Sequence, residues 1–148
     1  MTEPVVRNPD FEAVVRGSFA QQGLMRTFGA RMIQCQPGVV EIEVPFAQGL
    51  TQQQGFFHGG VTTAIVDTAC GYSALTLMAA GSEVLTVEFK INLFAPARGD
   101  ILRARGRVIR SGRTITVCHG DAYAIGEGGE SHCATMTATM IRVDLPRH

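Results

Sequence analysis

Asp67 is the only Asp, Glu, Lys or Arg between Val44 and Ser82, and it stands among Ala64, Ile65, Val66, Ala69 and Cys70. A carboxylate in apolar surroundings costs several kcal/mol unless it is paired, so a chain keeps one there to be paired, protonated or used. The structural alternative is an Asp67 that faces a subunit interface and accepts a hydrogen bond from a partner's backbone. His58-Gly59-Gly60 lies upstream. Two glycines there let a substrate approach the main chain, while the first amides of a following helix are unpaired and sit at the positive end of its dipole. Such amides can hold a carbonyl or an oxyanion, although the same glycines would also serve as a plain turn.

A helix starting near Gly59 carries Asp67 two turns, about 12 Å, further along, too far for both to act on one atom. Two antiparallel copies of the helix would bring the Asp67 of one chain to the Gly59 of the other. The spacing therefore predicts a dimer with sites at its interface.

The elements that must position these groups follow from periodicity. Asn8-Pro9-Asp10 opens an amphipathic helix over about residues 10–22, with Phe11, Val14, Val15 and Phe19 on one face, Asp10 as its cap and an end near Gly23. Thr27 to Gln36 and Val39 to Phe46, on either side of Pro37-Gly38, read as a β-hairpin. Residues 47–57 form a Gln- and Gly-rich loop into the H-G-G turn, and Val61 to Ala80 reads as one long helix that stops at Gly81. Four runs rich in Val, Ile, Thr and aromatics, roughly 83–95, 100–110, 113–125 and 132–143, read as antiparallel strands. A helix apolar nearly all round must be enclosed, and a curved antiparallel sheet wrapped around it does so. The expectation is an α+β chain with a single domain over 1–148.

At this point the residues resemble a known family. Gly55-x-x-His58-Gly59-Gly60, then Asp67, then Thr86-Val87-Glu88-Phe89 and Ala95-Pro96-Ala97, resemble the PaaI-like acyl-CoA thioesterases of the hotdog fold, over roughly residues 20–143. The resemblance implies a long central helix wrapped by the sheet, dimers that pair into a homotetramer, an acyl-CoA substrate, and no metal or organic cofactor. It assigns Asp67 as general base or nucleophile and the Gly59 amide of the opposite protomer as the group that polarises the thioester carbonyl. His58 would orient the turn or help hold that carbonyl, and Thr86 would position the attacking water or the carboxylate. Gln52 stands where relatives often place an Asn that touches the carbonyl. Gly60 and Glu88 are assigned to substrate binding, and Arg98 together with Arg110-Ser111-Gly112-Arg113 to the CoA phosphates, which suit a guanidinium fork. Phe56, Phe57, Tyr72 and Phe89 suggest an aromatic lining.

Composition narrows the remainder. Thirteen basic residues balance thirteen acidic ones at a sequence pI of about 6.9, so no bulk field draws nucleic acid or an anionic membrane, and association into an oligomer is expected. The basic concentration from Arg98 to Arg113 has Arg103, Arg105 and Arg107 alternating as one solvated face, and it lacks the aromatics of a nucleic-acid binder. Met1 to Asp10 does not read as a secretory signal, and Asp67 argues against a membrane span at 61–80; a cytoplasmic protein is expected. Cys35, Cys70, Cys118 and Cys133 lie too far apart for a zinc motif and read as buried thiols. His119 and His132 have no partners in sequence, and no G-x-S-x-G elbow is present. Two other readings stay open: a hydratase or dehydratase using His58 with Asp67, and a non-catalytic acyl-CoA-binding module.

Overall fold

The computed structural model describes residues 3–144. Its elements are α1 (Phe11–Ala20), α2 (Gly23–Phe28), β1 (Arg31–Gln36), β2 (Val39–Pro45), a single 3-10 turn (Gln48–Leu50), α3 (Gly59–Leu75), β3 (Glu83–Leu93), β4 (Ile101–Ser111), β5 (Ile115–Gly126) and β6 (Gly129–Val143). The strands form one six-stranded antiparallel sheet in the order β1-β2-β4-β5-β6-β3. Alternation gives the sheet an inner face: Thr116, Cys118, Gly120 and Ala122 on β5, and Ala134, Met136, Ala138 and Met140 on β6, are buried, while their neighbours face outward. α3 lies against that face with Val61, Ile65, Val66, Ala69 and Cys70 buried. Gly106 and Gly120 pair across β4 and β5 beneath it. A Cβ at Gly106 would run into the Ala69 and Cys70 backbone, and one at Gly120 into Val66 Cγ1 and Cys70 Sγ, so the glycines are what let the helix press onto the sheet. This is the α+β hotdog arrangement that the sequence implies.

The enclosure is one-sided. Thr63, Ala64, Asp67, Thr68 and Gly71 form a half-buried stripe along α3 that this chain leaves uncovered. α3 is also shorter than the apolar run suggests. The Thr76 hydroxyl donates to Ser73 O and accepts from Gly38 N, so the β1–β2 turn takes the chain out of the helix before Ala80. Asp10 makes no side-chain cap on α1; Asn8 Oδ1 accepts from Asp10 N instead. Thr27 and Phe28 belong to α2, not to the first strand, because Gly29 adopts a left-handed conformation (φ 68°) that ends a second short helix. No helix among the described residues is long and apolar enough to cross a membrane.

β3 is an edge strand with a bulge. Thr86 pairs with Met140 but Glu88 pairs with Thr139, so Val87 is an extra residue and the side-chain alternation changes phase there. Val84 and Thr86 face α3 before the bulge; Phe89, Ile91 and Leu93 face it afterwards.

Candidate active site

His58 builds the start of α3. Its Nδ1 accepts from Gly60 N at 2.7 Å, and its carbonyl accepts from Val61 N and Thr62 N. A backbone N–H only donates, so the neutral ring carries its proton on Nε2. Of the first four amides of α3, which no helix can satisfy internally, only that of Gly59 makes no hydrogen bond among the described residues. The preceding loop is closed by Gln52, whose Oε1 accepts from Gln54 N at 2.6 Å and Phe56 N at 3.3 Å, and by His58 N donating to Leu50 O. Gln52 Nε2 donates to Gln54 Oε1. Gly55 supplies the positive φ of 86° that the loop needs. Gly59 lines a cavity of about 340 Å³ together with Gln52, Phe56, Phe57, Leu93 and Phe94. Leu93 Cδ1 would lie only 3.1 Å from a Cβ at Gly59.

Asp67 occupies a different cleft. Thr86 Oγ1 donates to Asp67 Oδ1 at 2.7 Å. Burial pushes the Asp67 carboxyl above its ordinary value, and the Thr86 hydrogen bond, which favours the ionised form, pulls the other way. The cleft, about 320 Å³, is completed by Ser18, Gln22, Tyr72 and Glu83. The Tyr72 hydroxyl is held by Gln22 Nε2 and Ser18 Oγ, each at 3.0 Å, so the end of α1 walls the carboxylate site. The apolar periodicity of α1 carries no signal of that contribution. Tyr72 itself is buried and committed to this network, and Phe57 is buried edge-on against Phe46, leaving Phe56 and exposed Phe89 as the freer aromatics.

Other expected site residues are not brought together. The phase change at Val87 turns Glu88 to the outer face, where it accepts from Thr139 Oγ1, away from Thr86 and Asp67. Arg98 lies before β4 and Arg110, Ser111, Gly112 and Arg113 lie at its far end, roughly 35 Å apart at strand rise, so they form no common patch. Gly112 shapes the β4–β5 turn by donating to Ile115 O at 2.8 Å. Arg103 and Arg105 are not a free basic face either: they pair across the sheet with Glu43 and Glu41, each at 2.6 Å. His119 and His132 do have a partner, Asp121, at 3.0 and 2.8 Å, which only the β5–β6 register brings to both. All four cysteines are buried and unpaired, and burial lifts the Cys118 and Cys133 thiols to about 11, keeping them protonated.

The sequence profile of the thioesterase superfamily matches residues 54–130, the stretch that contains the H-G-G turn, Asp67 and Thr86. The chain belongs to the thioesterase superfamily. A solved thioesterase family protein from Silicibacter pomeroyi is 45% identical, aligned over 91% of this chain and 99% of that one with a TM-score of 0.89. The PaaI protein of the Escherichia coli phenylacetic acid degradation operon is 16% identical and shares the fold, with a TM-score of 0.80 over 93% of this chain and 96% of that one. A Saccharolobus solfataricus protein carrying an esterase name is 30% identical over 94 residues, 64% of this chain, and the match spans 66% of that relative, just under two thirds. Thioester hydrolysis is the reaction class of the superfamily, and within the matched stretch the Asp67 carboxyl and the Gly59 amide stand in separate clefts of this chain.

Proposed function

We propose that the protein hydrolyses acyl-CoA to a free acid and CoA at two equivalent sites of a dimer, each built from the Asp67 of one protomer and the Gly59 amide of the other. The observation that carries this reading is the hydrogen-bond inventory of the α3 start: the His58 cap satisfies its neighbours and leaves Gly59 N–H unbonded among the described residues, at a residue that lines a cavity. Asp67 takes a proton from water as the water oxygen bonds to the thioester carbon. The Gly59 N–H holds the resulting oxyanion, and collapse expels the CoA thiolate, which recovers the proton. Direct attack by Asp67, giving an anhydride that water resolves, uses the same groups. Thr86 positions the carboxylate, His58 holds the turn, and the spare N–H of Gln52 Nε2 supplies a second donor at the cavity. Arg110 and Arg113, on the β4–β5 turn, meet the CoA phosphates. The uncovered stripe of α3 and the exposed β3 edge supply the dimer surface, and dimers pair into tetramers.

The pairing a hydratase requires is disfavoured, because His58 Nδ1 is engaged by Gly60 N–H and Asp67 by Thr86. The direct test is CoA thiol release over a panel of short, medium, long and aryl acyl-CoAs, with Asp67→Asn alongside. Release by the native protein and a fall in kcat of about 10²–10⁴-fold in the variant, with binding retained, is expected. Tight binding without release from any thioester would instead support the binding-module reading. Mixing Asp67→Asn with Gly59→Val tests the shared site. Each mixed dimer regains one intact site, so about a quarter of native activity should return after random re-assortment; no recovery would place both groups in one protomer.

A further inference from the structure

His132 has no part in the hydrolysis proposed above, yet a bulge in β6 sets its place. Ala122 pairs with Ala134 but Tyr123 pairs with His132, so Cys133 is an extra residue. In a regular strand His132 would share the inner face with Ala134; the bulge turns it onto the outer face, beside Asp121 and Tyr123, while Cys133 and Ala134 are both buried. Two contacts then fix the imidazole. It stacks on the Tyr123 ring with centroids 4.8 Å apart and planes at 23°, and its Nε2 donates to Asp121 Oδ1 at 2.8 Å. The other carboxylate oxygen of Asp121 is taken by His119 Nε2 at 3.0 Å. The imidazole in turn supports Phe94, whose ring meets it edge-on at a centroid distance of 4.9 Å and an angle of 84°. The Phe94 backbone is anchored at the same bulge, because Phe94 N and Ala95 N both donate to Cys133 O, at 3.1 and 3.3 Å. Phe94 is 54% exposed, and His132 is its one aromatic contact among the described residues. Phe94 also lines the cavity that Gly59 lines, so the fixed imidazole stands behind one wall of that cavity.

We infer that His132 is a positioning residue for substrate selection: it holds the Phe94 ring as a fixed wall of the Gly59 cavity, and that wall favours thioesters whose acyl group is apolar and larger than acetyl. This rests on the hydrolase reading. Edge-to-face ring pairs have a preferred geometry, so the contact sets where an otherwise exposed ring stands. A wall in place before the substrate arrives spares binding part of the entropy loss of ordering it. Apart from the amide side chains of Gln52 and Gln54, the cavity is bounded by apolar groups, Phe56, Leu93 and Pro96 among them, which suit the hydrocarbon of an acyl group better than the amides of a pantetheine arm.

Calorimetric titration with the S-benzyl and S-methyl thioethers of CoA, neither of which can be hydrolysed, reads the selection without turnover. The native protein should bind the benzyl compound more tightly. Phe94→Ala should cut that preference about tenfold and His132→Ala about threefold. His132→Phe keeps a ring between Tyr123 and Phe94 and should restore most of it. His119→Ala removes the other Asp121 contact, leaves the His132–Phe94 pair in place and should not move it. In turnover, His132→Ala should raise KM for phenylacetyl-CoA relative to acetyl-CoA with little change in kcat, the pattern of lost uniform binding. No benzyl preference in the native protein, a preference that survives Phe94→Ala or His132→Ala, no recovery in His132→Phe, or an equal loss in His119→Ala overturns the proposal. Failure of any thioester to release thiol would defeat the hydrolase reading while leaving the titrations to decide this one.

Discussion

Two opposing influences set the protonation of Asp67: desolvation by its apolar neighbours disfavours the carboxylate, and the Thr86 hydroxyl supports it. Removing the hydroxyl leaves the first unopposed. In Thr86→Val the acid limb of the kcat/KM profile should therefore move to higher pH than in the native enzyme; an unmoved or lowered limb would show that Thr86 does not act through the carboxylate. The same raised value has a cost in stability. A carboxyl whose folded pKa lies above its unfolded one loses stability as pH rises from the unfolded through the folded value, because the unfolded chain ionises more readily. Asp67→Asn removes that penalty and still accepts from Thr86. Its melting temperature should exceed the native one at neutral pH, with the gap closing in acid, opposite to its effect on turnover.

At the level of elements, the entry to α3 rests on one imidazole. His58→Ala strands the Gly60 amide and should cost about 1 kcal/mol in chemical denaturation, while His58→Asn, which also accepts at a cap, should recover most of it. Under the helix, Gly106→Ala meets main chain that cannot rotate away, whereas Gly120→Ala meets the tips of Val66 and Cys70 side chains. The first should destabilise by more than the ~1–3 kcal/mol usual for overpacking, and the second should fall within that range. The alternation of β4, β5 and β6 and the punctuation at Pro37-Gly38 and Ser111-Gly112 made the sheet readable, and the lone carboxylate in an apolar helix pointed to the candidate site. The rest depended on register. No local pattern announces that Val87 is bulged, so nothing in the sequence shows that Glu88, assigned to substrate binding, turns to the outer face. Likewise the pairing of Arg103 and Arg105 with Glu43 and Glu41 exists only once β2 lies beside β4. The early end of α3 is set by a tertiary bond from Thr76 to the Gly38 turn, which propensity cannot see.

Across the whole molecule, the uncovered stripe of α3 and the β3 edge form one continuous surface. Leu85 and Val87 are about half exposed on a strand with unpaired backbone, the kind of edge a chain normally blunts with charge or covers. With the proposed dimer built on that edge, Leu85→Lys/Val87→Lys should sediment as a monomer and lose turnover, although neither side chain belongs to the Asp67–Thr86 pair. A variant that stays dimeric and active would place the interface elsewhere.

The Val87 bulge also fixes how this chain tolerates changes in length. Thr86 and Leu93 are an odd number of positions apart, yet both reach α3, one at the carboxylate and the other beside Gly59, because the extra residue absorbs the mismatch. A homologue lacking that residue would run a regular strand and present the same two groups, so a one-residue gap here is silent for the chemistry. α3 offers no such allowance: one residue gained or lost between Gly59 and Asp67 swings the carboxylate roughly 100° around the helix axis, out of its cleft and away from the Thr86 hydroxyl.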